Sequence, residues 1–264
     1  LRSEMGLNRP LAAQYGTWLW GVSHLNFGRS LQDNTSVAGL IAQKLPTTFE
    51  LAALSLLIAV AIALPAGILS ALKPGGFTDR LVTLLALSGI SLPTFFLGIL
   101  LIYLFSVQLA WIPASGYVSL GANPALNLKL MLLPAVTLGV GAAAVLTRYL
   151  RASLLEVLGQ DYVRTARAKG VAGRLVIGRH ALRNALIPVV TVLGLQLGGL
   201  LGGAVVTEQI FSVPGFGRLL VDAVFSRDLP VIQGMVLTSA VLVLLVSFLV
   251  DLTYGAIDPR VRYA

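Results

Sequence analysis

The sequence predicts an all-α protein, built as a polytopic transmembrane helical bundle. Of its 264 residues 56% are hydrophobic and only 11% are charged, and the mean hydropathy is +0.87. Soluble globular domains carry roughly 25% charged residues. The charges here are also bunched between long runs that contain none. We therefore expect a bilayer as the main solvent and membrane lipid as a partner.

Five charge-free segments are each long enough to span a membrane. About 30 Å of hydrocarbon requires about 20 helical residues at a rise of 1.5 Å per residue. Pro65, Pro93 and Pro134 lie within these segments and each removes a backbone donor. Such prolines suit a moving pathway, but proline is also frequent in membrane helices, so both interpretations stay open. The predicted spans are residues 51–72, 81–107, 130–147, 185–207 and 231–250.

Residues 1–46 precede the first predicted span and form an extracytoplasmic segment in this interpretation, ahead of a transmembrane domain over 47–264. Its aromatic residues Tyr15, Trp18 and Trp20 are typical of a membrane interface. We expect a packed cap or a short interfacial helix here, without chemistry of its own. The sequence starts at Leu1 without a signal-peptide pattern, and a multi-pass membrane protein normally has an initiating methionine before its first span, so we expect at least one further helix upstream.

The distribution of Lys and Arg predicts the orientation of the chain. The connection 108–127 has no charge, whereas the connection between the third and fourth spans is strongly basic. Because basic residues resist translocation, we place the loop 148–186 and the C-terminal tail with Arg260 and Arg262 in the cytoplasm. The basic residues of that loop are Arg148, Arg151, Arg164, Arg167, Lys169, Arg174, Arg179 and Arg183.

Composition argues against several classes of function. The chain has no cysteine, and only His24 and His180 offer imidazole, which predicts no metal site. The net charge of +8 is concentrated beside membrane segments, so nucleic acid is not an expected partner. Zinc-helix, nucleophile-elbow and phosphate-loop motifs are missing from the sequence. We therefore predict no catalytic site, and energy from ATP would have to come through a partner.

Ionisable residues do not occur in the middle of any predicted span. Glu50, Glu208 and Asp251 fall at span ends, where we expect water or headgroups to reach them. Because buried charge in a membrane usually marks an ion or proton path, this placement argues against a proton-coupled carrier.

Glycine recurs at helical spacing in the fourth span. Gly194, Gly198 and Gly202 form one stripe, and small residues at this spacing let two helix backbones approach closely in lipid. We predict a helix-packing face at these three positions. The partner helix belongs either to this chain, which we prefer, or to a second subunit.

A short basic helix is predicted within the cytoplasmic loop. Apolar or small residues alternate there with Arg164, Arg167 and Lys169, and Gly170 can adopt the left-handed conformation that ends a helix. Small alanines permit close docking into a groove, and the arginines can pair with acidic groups of a partner. Charge alone favours the alternative, a simple positive-inside loop with lipid-facing arginines.

The pattern of this loop resembles the EAA motif of binding-protein-dependent ABC importer permeases. In that motif a Glu-Ala-Ala triplet precedes a glycine, and an Ile-x-Leu-Pro stretch follows. The stretches TARAKG and RHALRNALIP resemble the first permease subunit of the dipeptide, oligopeptide and nickel branch. The corresponding positions hold Arg164, Thr165 and Ala166 for the triplet, Gly170 for the glycine, and His180, Leu182 and Arg183 for the distal stretch.

Three further stretches resemble the same subunit in order along the chain: TEQIFSVPGFGRLL, SRDLPVIQG and DLTYGAIDPRVRY. The resemblance implies a type I ABC importer permease in a bacterial inner membrane, with a coupling helix that docks on an ATPase and a turn that gates the external mouth. The implied coupling residues are Tyr162, Val163, Arg164, Thr165, Ala166, Arg167, Ala168, Lys169 and Gly170. The implied external-gate residues are Val213, Pro214, Gly215, Phe216 and Gly217.

The resemblance also implies partners. These are a second homologous permease subunit, two ATP-binding subunits and an extracytoplasmic substrate-binding protein. No cofactor is implied for this chain itself, because ATP and Mg would be used by the ATPase subunits.

Short peptides are the favoured substrate, since the spans lack clustered His, Cys or Met that could coordinate a metal. The stretch QYGTWLWG at 14–21 looks like nickel permeases and keeps nickel or a metal chelate open as an alternative. A secondary carrier or channel, and a membrane scaffold without transport, are the alternatives from other classes.

Overall fold

A computed structural model of the chain describes residues 10–257, and within them the protein is almost entirely helical. The predicted cytoplasmic residues Arg260 and Arg262 lie outside the described residues. The only strand-like feature in the described range is an isolated bridge between Arg29 and Ser36. The predicted all-α fold is confirmed.

Ten α-helices follow one another along the described chain. Wider π-helical turns, Ile102–Gln108 and Val176–Ala181, continue α4 and join α7 to α8. The helices are α1 Leu11–Ser23, α2 Val37–Leu72, α3 Phe77–Ser91, α4 Thr94–Leu101, α5 Pro124–Leu158, α6 Asp161–Ala168, α7 Gly173–Leu175, α8 Leu182–Ile210, α9 Phe216–Phe225 and α10 Leu229–Ile257.

Four described stretches are long and apolar enough to cross a membrane: Val37–Leu72, Pro124–Leu158, Gly173–Leu200 and Leu229–Val250. The predicted span 81–107 is instead a broken pair, α3 and α4, bent by 104°. Leu92 leaves the helical conformation, with φ −74° and ψ 124°. Its neighbour Pro93 disfavours helical geometry in the residue before it, so the proline ends α3 rather than merely kinking it.

Several helices extend beyond their predicted spans. Helix α2 already begins at Val37, ahead of the predicted domain boundary between 46 and 47, and it continues through Lys44, Pro46 and Glu50. Helix α5 continues to Leu158, so much of the predicted loop is helical. The length of a charge-free run reflects the thickness of the hydrocarbon layer. The helix that contains the run can be longer, because its ends can extend past that layer into water.

Helices α2 and α5 pack closely and carry the core. A Cβ placed on Gly139 of α5 would lie 2.8 Å from the carbonyl oxygen of Ser55 on α2, so this glycine permits direct backbone contact. Further along α5, the buried side chains of Leu146, Leu150 and Leu154 pack against alanines of α2 and α8.

The connections between the helices lie at two opposite ends of the bundle, which we call the basic end and the turn end. The basic end comprises the connection 73–76 and residues 159–181, and the turn end comprises 24–36, 109–123 and 211–228. Helix α1 has no buried residue and exposes Tyr15 and Trp20, and the Trp20 ring lies against the ring of His24 with the two planes inclined by 46°. A short helix is thus present in the segment 1–46, and its predicted place at the membrane interface stays a prediction.

The glycine stripe of α8 meets α10 at one end only. A Cβ on Gly194 would overlap the side chain of Val250, and one on Gly198 would lie 3.9 Å from Val246. Gly202 has open space beside it among the described atoms. The close approach within this chain is therefore concentrated at Gly194.

Candidate functional sites at the two ends of the bundle

Helix α6 at the basic end occupies residues Asp161–Ala168, close to the predicted helix 162–169. Val163 is its buried anchor, with 0% exposure. The helix packs beside the π-helical turn Val176–Ala181, where Val176 and Ala181 are also fully buried. The remaining α6 side chains are exposed or half-buried. An eight-residue helix is thus fixed along one edge and open along the other.

Gly170 ends this helix in the left-handed conformation, with φ +74°, as the sequence predicts. Its N–H donates to the carbonyl oxygen of Arg167 at 3.0 Å, and the next N–H, of Val171, donates to Ala166 at 3.2 Å. An added Cβ at Gly170 would meet nothing within 4 Å. The requirement for glycine here is therefore conformational, not steric.

The exposed edge of α6 is basic. The side chain of Arg164 is 79% exposed, and its ion pair with Asp161, at 3.6 Å, is equally open to water. Such an exposed pair contributes little to stability. Thr165, Arg167, Ala168 and Lys169 are exposed or half-buried as well. The edge therefore presents guanidinium and ammonium groups that remain available to an acidic partner.

Asn184 is a contact of α6 that the sequence analysis did not identify. Its Nδ2 donates to the hydroxyl of Tyr162 at 2.8 Å, which joins α6 to the first turn of α8. Tyr162 is one of the predicted coupling residues, whereas a lone Asn near a helix start carries no sequence signal for this role.

At the turn end, the predicted gate residues 213–217 comprise the last part of the turn between α8 and α9 and the first two residues of α9. Val213, Gly215, Phe216 and Gly217 are buried and Pro214 is half-buried. The N–H of Val213 donates to the carbonyl oxygen of Glu208 at 2.9 Å. The turn therefore packs into the bundle of its own chain, and its backbone folds back over the end of α8.

Glu208 lies under this turn and is completely buried, with 0% exposure. The expectation that water or headgroups reach it was wrong, because the N-terminal turn of α9 covers the end of α8. The carboxylate accepts hydrogen bonds from the Thr48 hydroxyl of α2 and from the N–H of Arg218, at 2.5 and 2.8 Å. The same Thr48 oxygen accepts the N–H of Phe216 at 2.8 Å.

Glycine is required around this carboxylate for steric reasons. A Cβ on Gly215 would overlap the Glu208 carboxylate, and one on Gly217 would lie 2.6 Å from the Cα atom of Val205. Glu208 lies beyond the span Gly173–Leu200, and burial raises the pKa of its carboxyl, more than the hydrogen bonds from Thr48 and α9 lower it. The Glu208 network consequently holds α2, α8 and α9 together.

A second carboxylate network lies nearby on α2. Glu50 accepts hydrogen bonds from the Nδ2 of Asn127 at 2.6 Å and from the hydroxyl of Tyr117 at 3.0 Å. Asn127 also donates to the carbonyl oxygen of Val118. These bonds tie the connection 109–123 to α2 and α5, so both polar networks brace the turn end.

Residues 63–263 match the family described as binding-protein-dependent transport system inner membrane component. The chain belongs to this family. The match includes α6, the Val176–Ala181 turn and residues 213–217, so the permease family extends over both candidate sites.

Related permeases match the whole chain. A probable peptide ABC transporter permease protein of Sinorhizobium fredii is 42% identical over 263 residues, which are 100% of this chain and 84% of that protein. The dipeptide transport system permease protein DppB of Escherichia coli K12 is 44% identical over 286 residues, again with 100% and 84% coverage.

Solved structures share the fold of this permease. The MetNI methionine ABC transporter in an inward-facing conformation matches with a TM-score of 0.69 and 21% identity, over 83% of this chain and 96% of that chain. An amino acid ABC transporter with histidines matches with a TM-score of 0.64 and 16% identity, over 83% and 94%. The architecture is thus that of an ABC importer permease.

Proposed function

We propose that this chain is a permease subunit of an ATP-driven importer for short peptides. The observation that carries the proposal is the construction of α6, an eight-residue helix anchored by the fully buried Val163 and open along a basic edge. An exposed helix held this way can enter a groove on another protein and transmit displacement to the bundle.

The proposed orientation places the basic end in the cytoplasm and the turn end outside. The excess of Lys and Arg at the basic end supports it. An ATP-binding subunit would then contact α6, and its acidic groups would pair with Arg164 and Arg167. ATP and Mg would be used there, not by this chain.

Further proposed partners follow from the family. A second permease subunit would complete the translocation path, with an ATP-binding subunit beneath each permease. An extracytoplasmic binding protein would deliver substrate at the turn end, where residues 213–217 close over Glu208. The peptide substrate is proposed from the names of the relatives and from the sparse His, Cys and Met content of the chain.

The test substitutes Gly170 in the assembled transporter. Gly170→Glu places a β-carbon at φ +74° and a negative charge in the basic edge, so we expect loss of ATPase co-purification and of ATP-driven uptake. Gly170→Asn tolerates the left-handed conformation and adds no charge, and we expect it to keep both activities.

Gly121→Glu is the matched control for added charge. Gly121 lies at the turn end, and a Cβ there would also meet nothing within 4 Å. If Gly170→Glu kept ATPase association and uptake at the level of Gly121→Glu, the proposed coupling role of α6 would be wrong. Uptake that persists without ATP would instead indicate a secondary carrier or channel.

A further inference from the structure

An ion pair between the buried carboxylate of Asp79 and the half-buried guanidinium of Arg151 joins three helices at the basic end. Asp79, in the first turn of α3, is 4% exposed. Its two carboxylate oxygens accept hydrogen bonds from the Nε and Nη2 of Arg151 on α5 at 2.6 and 2.7 Å. They also accept from the Ser70 hydroxyl at the end of α2 and, at 2.8 Å, from the N–H of Gly75. Both oxygens are therefore fully used by donors from three directions.

The backbone around the pair is shaped to make these contacts. Gly75 has φ +75°, a conformation that turns the 73–76 connection so that its N–H points at Asp79. One helical turn deeper, a Cβ on Gly67 of α2 would lie 2.9 Å from the Cδ2 of Leu150 on α5. Helices α2 and α5 are thus in close contact where Arg151 reaches across to α3.

The main effect of the ion pair is to fix the position of α3 relative to α5, and its contribution to stability is smaller. An ion pair that is open to water on one side contributes little net stability, whereas loss of Arg151 would leave the buried Asp79 carboxylate without its charged partner. A bidentate guanidinium–carboxylate contact is also directional. The contact therefore favours one arrangement of α3 relative to α5 and penalises sliding between them.

Arg151, one member of the ion pair, lies close in sequence to the coupling elbow, the segment formed by α6 and Gly170. Helix α5 continues without a break from Arg151 to Leu158, and α6 begins at Asp161. About seven residues of helix correspond to about 10 Å, so the pair is about two helical turns from the elbow. Leu154, between them, is fully buried, which keeps this part of α5 against the bundle.

We propose that Asp79 and Arg151 are positioning residues for transport. Their ion pair makes the basic ends of α2, α3 and α5 move as one body when α6 is displaced, so that the displacement reaches the translocation path. This inference rests on the proposed coupling function of α6.

The test measures the number of ATP molecules hydrolysed per peptide imported. Asp79→Asn keeps the shape of the side chain and removes its charge. Arg151→Gln removes the guanidinium, and Arg151→Lys keeps the charge but not the bidentate contact. We expect the first two to raise the ratio by about fivefold or more, the lower range of measured coupling between sites. Arg151→Lys should be intermediate.

Arg80→Gln is the matched control, because Arg80 is the exposed neighbour of Asp79 on α3 and its replacement removes the same charge as Arg151→Gln. It should leave the ratio unchanged. ATPase association and the yield of assembled complex are measured for every variant. An unchanged ratio per assembled complex would overturn the inference, even if less complex formed, because that result describes a purely structural pair. Failure of the proposed function itself would appear separately, as uptake by the unsubstituted transporter that needs no ATP.

Discussion

The buried carboxylate of Glu208 allows a sharp prediction about the turn end. Glu208→Ala removes the acceptor for the Thr48 hydroxyl and for the N–H of Arg218. Each buried donor left without a partner costs about 1–3 kcal/mol, so the free energy of unfolding should fall by about 2–6 kcal/mol. Glu208→Gln can still accept from Arg218 and donate to Thr48, and it should stay within about 1 kcal/mol of the original protein.

The sign of the pH dependence follows from the raised pKa of Glu208, which burial causes. A carboxyl whose pKa is higher in the folded than in the unfolded state favours folding most at low pH. That contribution declines as the pH rises through the folded-state pKa. As the pH rises from the ordinary titration range of a glutamate towards and through the raised folded-state pKa, the original protein should therefore lose stability relative to Glu208→Gln, since a glutamine side chain does not ionise.

Thermal unfolding of the purified permease in detergent, followed across this pH range, tests both statements. Gln209→Ala, at a half-buried neighbouring position, is the control and should cost less than about 0.5 kcal/mol. The reasoning is refuted if Glu208→Gln destabilises as much as Glu208→Ala. It is also refuted if the original protein gains stability relative to Glu208→Gln as the pH rises, because that result would require a stabilising negative charge.

Three further predictions concern the packing of the helices. Gly139→Ala should push α2 from α5 and cost about 1–3 kcal/mol, whereas Gly141→Ala on the same helix meets nothing within 4 Å and should not destabilise; equal unfolding temperatures would contradict this. Gly194→Ala should destabilise, and Val250→Ala should rescue it in a double-mutant cycle; purely additive effects would deny the contact. Val163→Ala should cost about 1–3 kcal/mol and weaken ATPase co-purification, and unchanged co-purification would show that α6 needs no anchor.

The helix α6 and its end at Gly170 were predictable because their signals are local. The alternation of small and basic residues and the helix-ending Gly170 lie close together in the sequence, and the structure reproduces the helix and the left-handed glycine. The side chain that anchors α6 was harder to predict. That Val163, and not a neighbouring side chain, is buried depends on the later turn Val176–Ala181, whose position a local pattern does not specify.

The polar networks could not be predicted because their partners are distant in sequence. Thr48 and Glu208 are 160 residues apart, and Asp79 and Arg151 are 72 apart. A carboxylate at a span end ordinarily meets water, and only the return of α9 over α8 buries Glu208. From the sequence alone, Asp79, Arg151 and Glu208 look the same as charged residues that face water.

The break between α3 and α4 was only partly predictable. Pro93 is a visible helix breaker, but the sequence around it does not distinguish a kink from the observed 104° bend. The direction of α4 depends on its packing against other helices. A Cβ added to Gly98 of α4 would lie 3.3 Å from the ring of Phe211, just after α8.

The central claim, ATP-driven peptide import coupled through α6, is tested most directly in vesicles that contain this permease, its partner permease, the ATPases and the binding protein. Uptake of a labelled dipeptide and of nickel is compared with and without ATP. We expect dipeptide uptake that requires ATP and disappears with Gly170→Glu but not with Gly170→Asn. Uptake of nickel without dipeptide, or dipeptide uptake that ignores both ATP and Gly170→Glu, would contradict it.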